Sequence, residues 1–278
     1  MSGFDAGWLA LREPVDHASR HTGLAAHVRD HFAEHSSLAV VDLGCGTGSN
    51  LRALAPSLPL RQRWHLIDGD IDLLAVARQC LADWADSANA TPTGIELRKD
   101  AHRINVSFEC ADLMIRDLYF ADIGAELVTA AALFDLVSKD WLERLVAGAA
   151  RRRIPLYSVL NYDGIARWRP SVPLDARVIA AFNRHQRGDK GFGPALGPMA
   201  GAAFAESLSQ HGYAVDSADS PWELAEQDAE LIARLADGFA QAATEIEPEG
   251  RDVFAEWALM RTEAAQVTIG HRDIFATM

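Results

Sequence analysis

Three cysteines in 278 residues, Cys45, Cys80 and Cys110, are too few and too scattered for a disulfide framework or a thiolate metal site. Reduced thiols and no bound metal are expected. The chain also lacks the run of about 20 apolar residues that crosses a bilayer. Its longest uncharged stretch, 191–205, is broken by glycine and proline. Asp5, Arg12 and Glu13 stand where a secretory signal needs an unbroken apolar core, so a cytoplasmic protein is expected. Basic residues are in deficit as well, with 26 Lys and Arg against 39 Asp and Glu, a formal charge of -13. A chain that wraps nucleic acid or an anionic membrane would oppose its own field. Neither partner is expected; a small molecule is.

What is present is globular. Hydrophobic residues make up 49% and charged residues 23%, a balance that excludes intrinsic disorder as the main state. The length allows one large domain or two small ones. Apolar positions at helical spacing over 7–35, interrupted by Pro14, predict two short helices. The continuous apolar run 38–43 reads as a strand buried on both faces. Helices at 49–54, 71–84 and 141–150 then alternate with strands at 64–67, 105–110, 126–131 and 156–160, the grammar of an α/β sheet built by crossovers.

Past Asp163 the pattern changes. Residues 165–198 are rich in Arg, Gly and Pro without a long apolar period and read as an ordered insertion. A helix at 200–211, a strand at 213–218, helices within 222–243 and 251–263, and a last strand at 266–275 close the chain, with an antiparallel edge expected. Four segments of one domain follow: cover helices 1–37, a ligand-binding core 38–164, a lid 165–202 and a C-terminal part 203–278. Nine Arg or Lys against three Asp in 151–190 make that stretch locally basic, while 216–256 is acidic.

The most informative stretch is VVDLGCGTGSN, 40–50, a buried strand turning sharply into a helix through Gly44, Gly46 and Gly48. Glycines there admit positive φ and let a ligand approach the backbone. The dinucleotide spacing G-x-G-x-x-G is not met, because Ser49 occupies the position of the third glycine. A nicotinamide oxidoreductase is correspondingly disfavoured. Asp68, 20 residues past Gly48 at the end of the second strand, is placed to accept hydrogen bonds from both ribose hydroxyls.

These residues resemble the class I S-adenosylmethionine-dependent methyltransferases. Asp42-Leu-Gly44-Cys-Gly46-Thr-Gly48 is similar to their first motif, and Leu66-Ile-Asp68 with the helix after it to their second. Phe108-Glu-Cys-Ala-Asp112-Leu113 is similar to the segment that sets a carboxylate against adenine, and Glu126-Leu-Val-Thr-Ala130-Ala131 to the fourth strand. The likeness covers 38–163 well and the tail in outline. It implies a Rossmann-like, mostly parallel seven-stranded sheet with an antiparallel last strand, and S-adenosyl-L-methionine as cofactor. It further implies cofactor contacts from Asp42, the glycine turn with Cys45, Asn50, Asp68, Gly69, Asp112, Leu113 and Ala130. Arg20, from the cover helices, would meet the carboxylate of the methionine moiety. Cys45 reads as a small buried residue and not a nucleophile.

Ligands of an open α/β sheet bind at the carboxyl ends of its strands, which points to Asn161, Tyr162 and Asp163 after the fifth strand and to 131–135 after the fourth. The stretch 181–198 adds Asn183, Arg184, His185, Gln186, Arg187 and Lys190, whose cations would suit an anionic acceptor. Asp163, His185 and Tyr162 are the candidate bases, and the other residues of the two groups candidate substrate contacts. The expected activity is in-line methyl transfer to a small, anionic metabolite. A protein acceptor, or a cofactor-binding module without catalysis, are the alternatives.

Overall fold

The computed structural model describes residues 5–116 and 123–278. In chain order the elements are α1 (Ala6–Ser19), α2 (Thr22–Phe32), β1 (Leu38–Leu43), α3 (Ser49–Leu54), β2 (Arg61–Asp68), α4 (Ile71–Trp84), β3 (Ser87–Thr91), β4 (Gly94–Lys99) and β5 (His102–Cys110). They continue with β6 (Leu127–Ala131), α5 (Lys139–Ala150), β7 (Leu156–Arg169), α6 (Asp175–Gln186), α7 (Ala200–Gln210), β8 (Ala214–Asp219), β9 (Trp222–Leu224), α8 (Ala229–Ile246), α9 (Arg251–Arg261) and β10 (Gln266–Thr277).

Seven strands run in the order β5-β2-β1-β6-β7-β10-β8. Neighbours from β5 to β7 are parallel, and β10 lies antiparallel between β7 and β8. Every residue of β1 is buried, as its apolar residues require of a central strand covered on both faces, and Asp42 is buried with them. One core cluster joins β1 and β2 to the packing faces of α2, α6, α8 and α9; the other lies across the sheet under α5 and α7.

The sheet is wider than the seven strands expected. β3 and β4 form an antiparallel hairpin on the β5 edge, and the short β9 pairs with β10. Gly94 is required there, because a Cβ would stand 1.8 Å from the Val106 carbonyl oxygen. Pro14 does not divide α1, which runs through it. Ala10, whose carbonyl loses the missing N–H, is exposed and open to water. The break comes at Arg20, which turns to extended backbone.

Two features of the supposed insertion also differ. β7 continues to Arg169, and 175–186 is a regular helix stacked on α8 through Phe182 and Phe239, centroids 3.8 Å apart. Asp273, fully buried on β10, accepts the N–H groups of His21 (3.0 Å) and Leu160 (2.8 Å) and the Ser220 hydroxyl (2.6 Å). One carboxylate thereby ties the start of α2 to the interior of β7 and β10.

Candidate functional site

At the carboxyl end of β1 the chain takes three positive φ values in five residues, 62° at Gly44, 52° at Gly46 and 77° at Gly48. The turn is tightly covered: a Cβ on Gly44 would meet Leu133, and one on Gly46 would meet Leu9 of α1, each at 3.1 Å. Asp68, at the end of β2, accepts the Gly46 N–H at 2.8 Å and the Asp70 N–H at 3.0 Å. Each carboxylate oxygen keeps a second lone pair for a ligand. Burial raises the Asp68 carboxyl above its usual range, opposed by these hydrogen bonds. Gly69 beside it is exposed. Cys45 donates its backbone N–H to Ile67 and is buried, which pushes its thiol upward and leaves it a poor nucleophile.

Behind the turn lies a buried polar relay. Arg20 donates to Asn50 Oδ1 at 2.9 Å, and Asn50 Nδ2 donates to Asp42 Oδ1 at 2.7 Å and to Thr129 Oγ1 at 3.1 Å. Burial pushes the Asp42 carboxyl up to about 7, held back by the Asn50 hydrogen bond and by Arg20. Asp42 Oδ2 and Arg20 Nε are buried without a partner.

Asp112 stands exposed in the turn after β5, its carboxylate accepting the Met114 N–H at 2.8 Å. The adjacent Ala111 N–H donates to the Asp68 carbonyl at 2.9 Å, so the two acidic positions share one strand-end ridge. Leu113 is buried in the core under α5. Ala130 has no exposed surface and packs in that same cluster, on the face opposite Ala131 and Ala132. The strand-end position facing the cleft is therefore taken by 131–132 and not by Ala130.

A cavity of about 280 Å³ opens beside the turn, over the end of β6 and the middle of β7 and β10. Trp8 and Arg12 of α1, Ala132 and Asp135 after β6, Tyr162 of β7, the last turn of α6 with Lys190 beyond it, Trp222 of β9, Phe239 of α8, and His271 of β10 line it. Ala132 and Leu160, both on its wall, have φ of 52° and 59°. Left-handed backbone at non-glycine residues is held by surrounding structure and gathers at binding sites.

Of the acceptor residues expected, Tyr162, His185, Gln186 and Lys190 reach this cavity. On α6 the spacing 182, 185, 186 puts Phe182, His185 and Gln186 on one face. Arg184 and Arg187 fall on the other and are exposed, Arg184 pairing with Glu247. Asn183 accepts the Tyr162 hydroxyl at 2.8 Å and donates to the Gly164 carbonyl at 2.9 Å, a support for Tyr162 and not a lining group. Asn161 is buried and spends its amide on Ser158 and the Arg272 carbonyl. Asp163 lies away from the cavity, against Gly270, where a Cβ would come within 2.2 Å of its carboxylate.

Several lining residues were not among the expected site. Arg12 is clamped by Asp16 at 2.8 and 3.1 Å and lies over the Trp222 ring, 5.0 Å from its centroid. The pair is largely buried. His271 is buried against Trp222 and Tyr162, centroids 5.1 and 6.3 Å away, and burial pushes it down to about 3. Asp135, which lies inside the 131–135 stretch expected at the end of β6, is buried too, and burial pushes its carboxyl up to about 6 with Arg12 opposing.

No protein-family profile and no curated protein matches the sequence. Solved structures match its fold. A cyclopropane-fatty-acyl-phospholipid synthase-like protein from Lactobacillus casei ATCC 334 superposes with a TM-score of 0.56 at 14% identity, covering 99% of this chain and 95% of that one. A methyltransferase candidate of Bacillus halodurans C-125 gives 0.53 at 14% identity, over 91% and 97% of the two chains. YcgJ of Bacillus subtilis gives 0.50 at 12% identity, over 92% and 98%. With the strand order already described, the chain has the class I methyltransferase fold. Among the described residues no helix is long and apolar enough to cross a membrane, and no cluster of His, Cys, Asp and Glu could hold a metal ion.

Proposed function

We propose that the protein is an S-adenosylmethionine-dependent methyltransferase acting on a small acceptor. The observation that carries this reading is the placement of the aromatic cavity directly beside the glycine turn: Leu9 meets Gly46 while Trp8 and Arg12 of the same helix line the cavity. Leu133 likewise meets Gly44 between the lining residues Ala132 and Asp135.

The residues fit the cofactor. Positive-φ glycines leave the cleft free of Cβ atoms, and Arg20 Nε and Asp42 Oδ2 are buried polar atoms lacking partners. Arg20 would take the methionine carboxylate and Asp42 the ammonium, a complementary pair for a zwitterion. Asp68 would accept the ribose hydroxyls and Asp112 the adenine amino group. When bound, the cofactor supplies an electrophilic methyl on a sulfonium. The chain's part is positioning: the cavity walls hold the acceptor in line, and Trp8 and Trp222 exclude water. Lys190, whose ammonium stands 3.2 Å from His185 Nδ1 and is lowered by burial, is the partner for an anionic group on the acceptor. The acidic chain as a whole supports a metabolite over a nucleic acid.

Calorimetry against S-adenosylmethionine and NAD tests the first half, with binding of the former alone expected. Methyl transfer from labelled cofactor into a metabolite extract, with mass analysis of the product, tests the second. Failure to bind S-adenosylmethionine at millimolar concentration overturns the reading.

A further inference from the structure

The cavity is lined by six groups that carry or could take a proton, and four are already engaged in hydrogen bonds. Arg12 is held by Asp16, and Lys190 stands against His185 Nδ1. Tyr162 donates its hydroxyl to Asn183. His185 has both ring nitrogens engaged, Nε2 with Glu245 at 2.9 Å and Nδ1 with Lys190. His271 Nδ1 is buried without a partner, but the ring lies too deep among aromatic side chains to hold a proton near neutrality and so is a weak base. Asp135 differs from all of these. It is 9% exposed, sits in the turn after β6, and its Oδ1 makes no hydrogen bond at all. A buried carboxylate oxygen left unpaired is costly to the fold, and such groups persist where a ligand or a reaction uses them.

Resting on the methyl-transfer reading, we propose that Asp135 is the proton-accepting residue of the site, and that the acceptor is an aromatic molecule presenting a phenol-type O–H or aniline-type N–H to it. The rings of Trp8, Tyr162, Phe182 and Trp222 supply stacking surface on a planar body, and the volume suits one ring with small substituents. Asp135 accepts the proton of the O–H or N–H while a bond forms from that oxygen or nitrogen to the methyl carbon. The carbon–sulfur bond breaks and its electron pair stays on sulfur, leaving a neutral thioether. The protonated Asp135 then returns its proton to water. Burial raises the carboxyl, which makes it a stronger base than a surface aspartate.

Phenol and anisole are the probes, since anisole is phenol with the donor capped by the methyl group itself. Tryptophan fluorescence of the wild-type chain is expected to show phenol binding roughly tenfold tighter than anisole, the usual worth of satisfying a buried charged acceptor. Asp135→Leu is expected to erase this preference, and Asp135→Asn, which still accepts a hydrogen bond but takes no proton, to keep most of it while losing methyl transfer to phenol-type acceptors. Melting temperatures of the variants, expected at or above wild type, show that both fold. S-adenosylmethionine affinity is measured on the same samples. Loss of cofactor binding by the wild type overturns the methyl-transfer reading. Intact cofactor binding with no saturable response to phenol, or with a phenol preference that survives Asp135→Leu, overturns the role of Asp135.

Discussion

The Asp68 carboxylate takes the Gly46 N–H at 2.8 Å and so ties the end of β2 to the middle of the glycine turn on β1. One side chain both shapes the cleft and faces the place where a ribose would lie. Asp68→Ala removes both functions. Hydrogen bonds to a charged acceptor contribute about 1.5–3 kcal/mol each, so S-adenosylmethionine affinity is expected to fall at least tenfold by calorimetry. An unchanged dissociation constant would remove the cofactor from this cleft.

Arg20 acts at the other end of the same cleft. Its guanidinium holds Asn50, which holds Asp42, and its charge restrains the Asp42 carboxyl near 7. Arg20→Met is expected to weaken cofactor binding by about tenfold, the worth of a charge-assisted contact. Without the opposing charge the Asp42 carboxyl rises further, so the loss is expected to be larger at pH 6 than at pH 8. Isothermal titration at the two pH values checks both the size and the direction; a loss independent of pH would leave Asp42 out of the site.

α6, which carries His185 and Gln186 to the cavity, is itself held from below. Asp175 at its first turn accepts Trp257 Nε1 at 2.8 Å and Arg261 Nη2 at 2.5 Å, and Arg261 also donates to the Pro170 carbonyl. Arg261 is 2% exposed. Asp175→Ala strands that buried guanidinium, a change that costs about 3–5 kcal/mol. A drop of several degrees in melting temperature with cofactor affinity retained is expected, because the residues proposed to hold the cofactor sit at the ends of β1, β2 and β5 and on the cover helices. A cofactor affinity that falls with the melting temperature would mean that the two halves are coupled.

How much of this was legible in the sequence follows from how local each signal was. β1 and its turn announce themselves through five apolar residues in six followed by three alternating glycines, and Asp68 through its distance from them. β3 gave no such signal: four of its five residues are exposed, so it has no alternation to read. The cavity is assembled from Arg12, Asp135, Trp222 and His271, four distant segments with no spacing that links them. Asp135 was legible as part of the strand-end stretch 131–135, where it is the lone acid among apolar neighbours, whereas His271 is visible only afterwards as a polar residue inside a buried strand. The polar cluster 183–190 was legible as a cluster, but its helical conformation was not, and the helix turns Arg184 and Arg187 away from the cavity.

The buried acid at 135 also leaves a mark on stability that is independent of any ligand. Its carboxyl stands at about 6 in the folded chain against 3.8 when unfolded. Between those values the folded chain keeps a proton that the unfolded chain has released. The contribution is therefore fully present below about pH 4 and is lost as pH rises through 6, a change on the order of 3 kcal/mol. His271 works in the opposite sense: at about 3 when folded against 6.5 unfolded, its contribution is present above 6.5 and is lost as pH falls toward 3. The wild-type profile mixes the two, so the informative quantity is the difference between variant and wild type. The melting temperature of Asp135→Leu minus that of the wild type is expected to be smallest at pH 4 and to grow up to pH 7. For His271→Phe the difference is expected to grow in the other direction, as pH falls below 6.5. A difference for Asp135→Leu that stays flat from pH 4 to pH 7 would mean that Asp135 meets water or a cation in solution, and the unpaired carboxylate on the cavity wall would have to be abandoned.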